Sequence, residues 1–209
     1  MEVKYNRIPQ KEKIDLTRFK LPDSSFPGYS YADYLTWDFE EIVELIKGRV
    51  FVKPPFPGTR HQEILLKFFL QINKSLTKGT GELYYAPFDV RFGGANEDGK
   101  IVTVVQPDIC LILDPIKLDE RGCFGSPDLI IEILSKGNNT TELQEKYELY
   151  QEFGVKEYWI IHPVENTLQI NVLVNGVYQP SRLFTTGQKV TSTVLPGFEL
   201  ALEEVFEES

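Results

Sequence analysis

Val104-Val105-Gln106-Pro107-Asp108-Ile109-Cys110-Leu111-Ile112 and Leu129-Ile130-Ile131-Glu132-Ile133-Leu134 are the two stretches that decide the fold. Both are nearly continuous in apolar and β-branched residues, the composition of strands covered on both faces near the centre of a sheet. Each also carries one acid, Asp108 or Glu132. A carboxylate taken out of water without a partner costs several kcal/mol or shifts its pKa until it is neutral. Two arrangements satisfy the pair. Each acid meets its own Lys or Arg, or both share one hard divalent cation, which takes oxygen ligands. Such an ion also activates water and stabilises charge on a phosphoryl oxygen. A third reading is that Asp108 merely lies at a strand edge after Pro107, and the residues alone leave all three open.

Outward from these stretches the pattern predicts alternating elements. Residues 1–28, rich in Lys, Asp and Pro, read as an extended arm ending at Pro27-Gly28. Ser30 is placed to cap a short helix carrying Tyr31, Tyr34 and Leu35. Ile42–Ile46 and Arg49–Val52 flank Lys47-Gly48, a two-residue hairpin signal. From about Arg60 to Leu76, apolar residues at 64, 65, 68, 69, 72 and 76 follow a helical period. Leu83–Phe92 and Val102–Leu113 each read as one strand, with a mobile loop at residues 93–99 between them. Asp128–Leu134 is a further strand, Asp128 serving as its entry cap, and Lys156–His162 another; a helix runs between them from about Thr141 to Phe153. Residues 167–184 alternate around Asn175-Gly176, a second hairpin, and a β-rich tail runs from Gly187 to Phe206. The fold class is therefore α/β, a mixed sheet flanked by helices with a β-rich C-terminal region, in one domain over residues 29–209.

At 209 residues the chain can bury a core without staples, and its two cysteines, Cys110 and Cys123, match no metal or redox spacing. No apolar run approaches the length of a membrane span, and the charged start is not a secretory signal. A cytoplasmic location is the expectation. The formal net charge of −9, without a basic stripe, opposes broad contact with nucleic-acid phosphates. A carboxylate-rich metal site remains compatible with it.

The Pro107-Asp108 pair followed by Glu132 on a hydrophobic strand resembles the PD-(D/E)xK nuclease superfamily. More specifically, the chain resembles the Uma2 family of restriction-type endonucleases. The stretches that carry the resemblance are Glu44-Leu45-Ile46-Lys47-Gly48-Arg49, His61, Pro107-Asp108, 126–135, 146–150, 154–160 and Leu195-Pro196-Gly197-Phe198, in order over roughly residues 30–206. It implies a restriction-endonuclease-like fold and an Mg²⁺- or Mn²⁺-dependent endonuclease acting on DNA. Asp108 and Glu132 would hold the metal, and Glu44, in the first hairpin, would join them.

The third superfamily signature, a Lys two positions after the Glu, is replaced here by Leu134. The Uma2 resemblance implies that Lys146, on the following helix, takes its role. On residue pattern alone, Lys146 is a solvated lysine paired with Glu142 one turn earlier. Lys136 is a rival, sharing strand parity with Glu132. His61 opens the long helix, where it would meet substrate phosphate at the positive helix end or remain a surface histidine. His162 is read as structural and Tyr158-Trp159 as core. A homodimer fits the β-rich tail and the two strands of a DNA substrate. Against the enzyme stands a second class of function, a catalytically inactive nuclease-fold module for binding or assembly. A hydrolase of smaller phosphoesters is a third.

Overall fold

The computed structural model describes residues 14–20, 23, 25–53, 58–76, 80–93, 101–135 and 140–207, with only the backbone of 140 and 141. Most of the expected N-terminal arm, most of the 93–99 loop and Lys136 lie outside the described residues. In chain order, α1 (Tyr31–Tyr34) is followed by β1 (Val43–Ile46) and β2 (Arg49–Val52). The long helix α2 (Thr59–Ser75) precedes β3 (Glu82–Tyr85), β4 (Val90–Phe92), β5 (Thr103–Val105) and β6 (Ile109–Ile112). Short β7 (Leu118–Asp119) and β8 (Gly122–Phe124) lead to β9 (Leu129–Ile133), α3 (Thr140–Glu152) and β10 (Glu157–His162). The remainder is β11 (Thr167–Val174), β12 (Val177–Pro180), β13 (Phe184–Thr185), β14 (Lys189–Thr191), β15 (Glu199–Ala201) and α4 (Glu203–Phe206).

Local chemistry sets several of these boundaries. Ser30 and Asp33 form a reciprocal capping box at α1, each side chain accepting from the other's backbone N–H. Both hairpin turns lie in the left-handed region, Lys47-Gly48 at φ 49° and 78°, Asn175-Gly176 at φ 51° and 80°. Those dihedrals match the twist of the flanking strands and fix the register that pairs Glu44 with Phe51.

The strands form two sheets and a ribbon. One sheet runs β2-β1-β5-β4-β8-β7, and the larger runs β12-β11-β10-β9-β6-β3, with β13 also on β11. β14 and β15 pair separately. The two long strands expected from composition are therefore each divided. Residues 83–92 give β3 in the larger sheet and β4 in the smaller; residues 102–113 give β5 in the smaller and β6 in the larger. Pro87 and Pro107 lie at the divisions, and neither has an N–H to continue a ladder. Hydrophobicity reports burial, not sheet membership, so each pair of strands reads as one run.

Alternation along the larger sheet separates two cores. Odd-numbered Ile109, Leu111, Leu129, Ile131 and Trp159 pack with Ile64, Phe68 and Ile72 of α2. Even-numbered Cys110, Ile112, Ile130, Tyr158 and Ile160 pack with Leu149 and Tyr150 of α3 and with Val90, Phe92 and Val105 of the smaller sheet. Phe68 meets Trp159 edge-on, with ring centroids 6.3 Å apart. Full burial of an anchor such as Phe68 stabilises by about 1.5–3 kcal/mol. Glu132 is even-numbered, so it points with Ile130 to the α3 side. No helix among the described residues is long and apolar enough to cross a membrane.

Candidate active site

Asp108 lies where the chain leaves one sheet for the other. β6 and β9 are antiparallel with Ile109 opposite Ile131, so one further step sets Asp108 opposite Glu132. The Asp108 carboxylate is anchored there: Oδ2 accepts from the Ile133 N–H at 2.7 Å. The preceding residue but one, Gln106, donates its backbone N–H to Glu44 Oε1 at 2.8 Å. Its side-chain amide donates to Asp89 Oδ1 and Tyr34 Oη at 2.9 and 2.8 Å. The crossing segment is thus tied to both sheets, and it draws Glu44 from β1 toward Asp108 and Glu132.

Two ammonium groups join the three acids. Lys146 Nζ lies 2.8 Å from Glu44 Oε2 and 3.0 Å from Glu132 Oε1. Its separation from Glu142 is 3.9 Å. Lys53 Nζ donates to the Gln106 carbonyl at 2.7 Å and to Asp108 Oδ1 at 3.4 Å. It is 3.9 Å from Glu132 Oε2 and 4.0 Å from Glu44 Oε1. Tyr150 donates its hydroxyl to Glu132 Oε1 at 2.9 Å. Glu142, Lys146 and Tyr150 occur every fourth residue on α3, which gathers them on one helix face.

The expected residues are therefore brought together, with differences of detail. Lys146 is only 3% exposed, so it is not a solvated lysine paired with Glu142 alone. His61, in the first turn of α2, is buried rather than on the surface; its Nε2 is 3.2 Å from Asp108 Oδ2. An ionised carboxylate only accepts, so the histidine proton in this contact lies on Nε2. Asp128 donates nothing to the cluster; its Oδ2 accepts from the Leu113 N–H and its Oδ1 pairs with Lys156. Lys53, Gln106 and Tyr150 join the site without being singled out by the sequence pattern. A signal existed for Lys53. The hairpin register pairs Glu44 with Phe51, and Lys53 follows two residues later on the same face.

Burial and charge pull the acids apart. Burial alone raises the Asp108 carboxyl, but the Lys53 ammonium and the His61 hydrogen bond outweigh it and hold it well below the usual range. For Glu132, burial prevails over Lys146 and Lys53, with repulsion from Asp108 added, and its pKa is raised. Burial disfavours the Lys146 ammonium, yet Glu132 and Glu44 more than offset this and keep it charged.

The cluster floors a cavity of about 620 Å³. Lys53, His61, Asp108 and Glu132 form its polar base, and Leu66, Leu70 and Tyr85 part of an apolar wall. Those three wall residues are 56%, 46% and 55% exposed, so the wall is open to a ligand.

The donor set suits a hard divalent cation. Glu44, Asp108 and Glu132 offer carboxylate oxygens, the ligand type of Mg²⁺ and Mn²⁺. Four carboxyl groups (Glu44, Asp108, Glu132, Glu142) face two ammonium groups (Lys53, Lys146). Fully ionised, four minus two leaves the charge of one divalent ion. Among the described residues no three of His, Cys, Asp and Glu stand close enough to hold an ion as they are. The acids meet through the ammonium groups instead.

Comparison with known proteins bears on the fold and the family. A solved chain described as "a putative nuclease belonging to DUF820" from Anabaena variabilis ATCC 29413 shares the fold, with a TM-score of 0.69 and 20% sequence identity. The match covers 85% of this chain and 97% of that one. No curated protein matches the sequence. The Uma2 family pattern, described as "Putative restriction endonuclease", matches residues 31–203, well over half of the chain, and the chain belongs to that family.

Proposed function

We propose that the protein is a divalent-metal-dependent endonuclease that hydrolyses DNA phosphodiester bonds at the Asp108–Glu132 cluster. The observation that carries the reading is the convergence of Glu44, Asp108 and Glu132, from two sheets, on shared ammonium groups beside an open cavity. Asp108 and Glu132 would hold Mg²⁺ or Mn²⁺, with Glu44 as the third acid. The bound ion supplies Lewis-acid polarisation of the phosphoryl oxygen and lowers the pKa of attacking water.

The chain's own residues prepare the site. His61 and the Ile133 N–H fix the Asp108 carboxylate from one side. Lys146 and Tyr150 orient Glu132, and the Lys146 charge offsets negative charge that develops on the phosphoryl group. The exposed Tyr85 ring, edge-on to Phe69 at 5.2 Å, offers a stacking face for a nucleobase. Stacking is indifferent to the acidity of the chain, unlike binding that rests on many phosphate contacts.

The test is cleavage of supercoiled plasmid and of single-stranded DNA with Mg²⁺, Mn²⁺ or chelator. The reading expects metal-dependent cleavage that Asp108→Asn and Glu132→Gln each reduce by at least about a hundredfold, the scale of one electrostatic contact in a transition state. Cleavage retained in chelator, or unaffected by both substitutions, contradicts it. Activity on free nucleotides with none on DNA reassigns the substrate to smaller phosphoesters. A second reading, the inactive binding module, draws on Lys53 and Lys146 already occupying the acids. It predicts no cleavage with either ion.

A further inference from the structure

We propose, resting on the metal-dependent reading above, that Lys53 is the resident counter-ion of the metal position, and that a divalent cation enters by displacing its ammonium. Four oxygens from four residues surround Lys53 Nζ: the Gln106 carbonyl, Asp108 Oδ1, Glu132 Oε2 and Glu44 Oε1, at 2.7, 3.4, 3.9 and 4.0 Å. No other described ammonium comes within 4.0 Å of all three acids; Lys146 reaches the two glutamates and not Asp108. An Mg²⁺ or Ca²⁺ ion needs oxygens at roughly 2.0–2.6 Å. The acid oxygens stand 3.4–4.0 Å from the ammonium at their meeting point, farther from that centre than metal ligands are. This accounts for three acids that converge without forming a ready ion site.

The two lysines differ in their freedom to leave. Lys146 makes close contacts to both glutamates and is backed by α3, with its side chain 4% exposed. Lys53 has looser contacts to the acids, lies just past the end of β2, and lines the open cavity. Its long stem can swing the charge into the cavity while its backbone stays in place. The ammonium thereby offsets part of the acids' charge in the metal-free protein, and apparent metal affinity is reduced in proportion to how small a fraction of molecules has the ammonium out.

Calorimetric Mn²⁺ titration of the wild type, Lys53→Met and Lys53→Arg tests this. Lys53→Met will bind Mn²⁺ about tenfold or more tightly than the wild type, and Lys53→Arg no more tightly. Metal-free Lys53→Met will melt lower than the wild type and gain more on adding Mn²⁺. If the wild type binds Mn²⁺ and Lys53→Met binds no more tightly, displacement is wrong and the nuclease reading stands. If neither binds, the nuclease reading fails and takes this inference with it. Should Lys53→Met not fold, the Lys53 Nζ resonance of the wild type decides during Mg²⁺ titration. A shift that saturates with the metal supports displacement; a resonance unmoved at saturation overturns it.

Discussion

Lys146 of α3 holds its ammonium 3.0 Å from Glu132 Oε1 of β9, in a site where both side chains are less than a tenth exposed. The same ammonium contacts Glu44 from the other sheet, so one helix residue joins two sheets through charge. Removing one partner of a buried ion pair leaves the other charge uncompensated. Lys146→Met will destabilise the metal-free protein by about 3–5 kcal/mol in chemical denaturation. Lys146→Arg will cost less, because it keeps the charge. A Lys146→Met protein as stable as the wild type would mean that Glu132 is neutral there already.

Much of this cluster was legible in the sequence, and its limits have physical causes. An acid inside Leu129–Ile133 and another beside Ile109–Ile112 must be compensated once both strands are buried, whatever the fold. Only the family resemblance points to Lys146, since its position on α3 gives only local information. That α3 turns this face onto β9 depends on tertiary packing. The division of 102–113 between sheets was hidden because Pro107 interrupts a ladder without interrupting the apolar run. The hairpin register encodes the side of the strand on which Lys53 lies, but not its partners. Its reach to Asp108 follows from the path of a different segment.

Under the proposed nuclease function, the apolar cavity wall stacks a base of the substrate. Tyr85→Ala will weaken binding of single-stranded oligonucleotide by roughly tenfold or more, the scale of losing one base–aromatic stack. Fluorescence anisotropy with Ca²⁺ present and Mg²⁺ and Mn²⁺ left out measures it. Equal loss of duplex and single-stranded binding would argue against a stacking role.

Acid stability separates Asp108 from Glu132. The Asp108 carboxyl is held below its ordinary value in the folded protein, so its stabilisation is present above about pH 4 and is lost as pH falls toward the folded value. Glu132 has the opposite sign, because its raised pKa lets the folded protein take up a proton first. In metal-free protein, the melting temperatures of Asp108→Asn and the wild type will therefore converge below about pH 4. A constant difference across that range would show that Asp108 contributes through packing alone.

The first hairpin sets the positions of Glu44 and Lys53 and depends on Gly48. At φ 78°, an added Cβ would lie 2.9 Å from the Gly28 Cα and 3.1 Å from the Pro27 carbonyl, both backbone. Gly48→Ala will cost about 1–3 kcal/mol, and thermal denaturation will show it. Gly176→Ala, in the second hairpin at similar φ but with open space around it, will cost less.

Under the proposed function, acids from two sheets share a single divalent cation. Isothermal titration of Mn²⁺ into metal-free protein addresses it directly, with Asp108→Asn and Glu132→Gln titrated alongside. One ion bound per wild-type chain, with binding abolished or reduced at least about tenfold in each variant, is the expected result. A wild-type chain that takes up no Mn²⁺, or variants that bind it as the wild type does, would contradict the account.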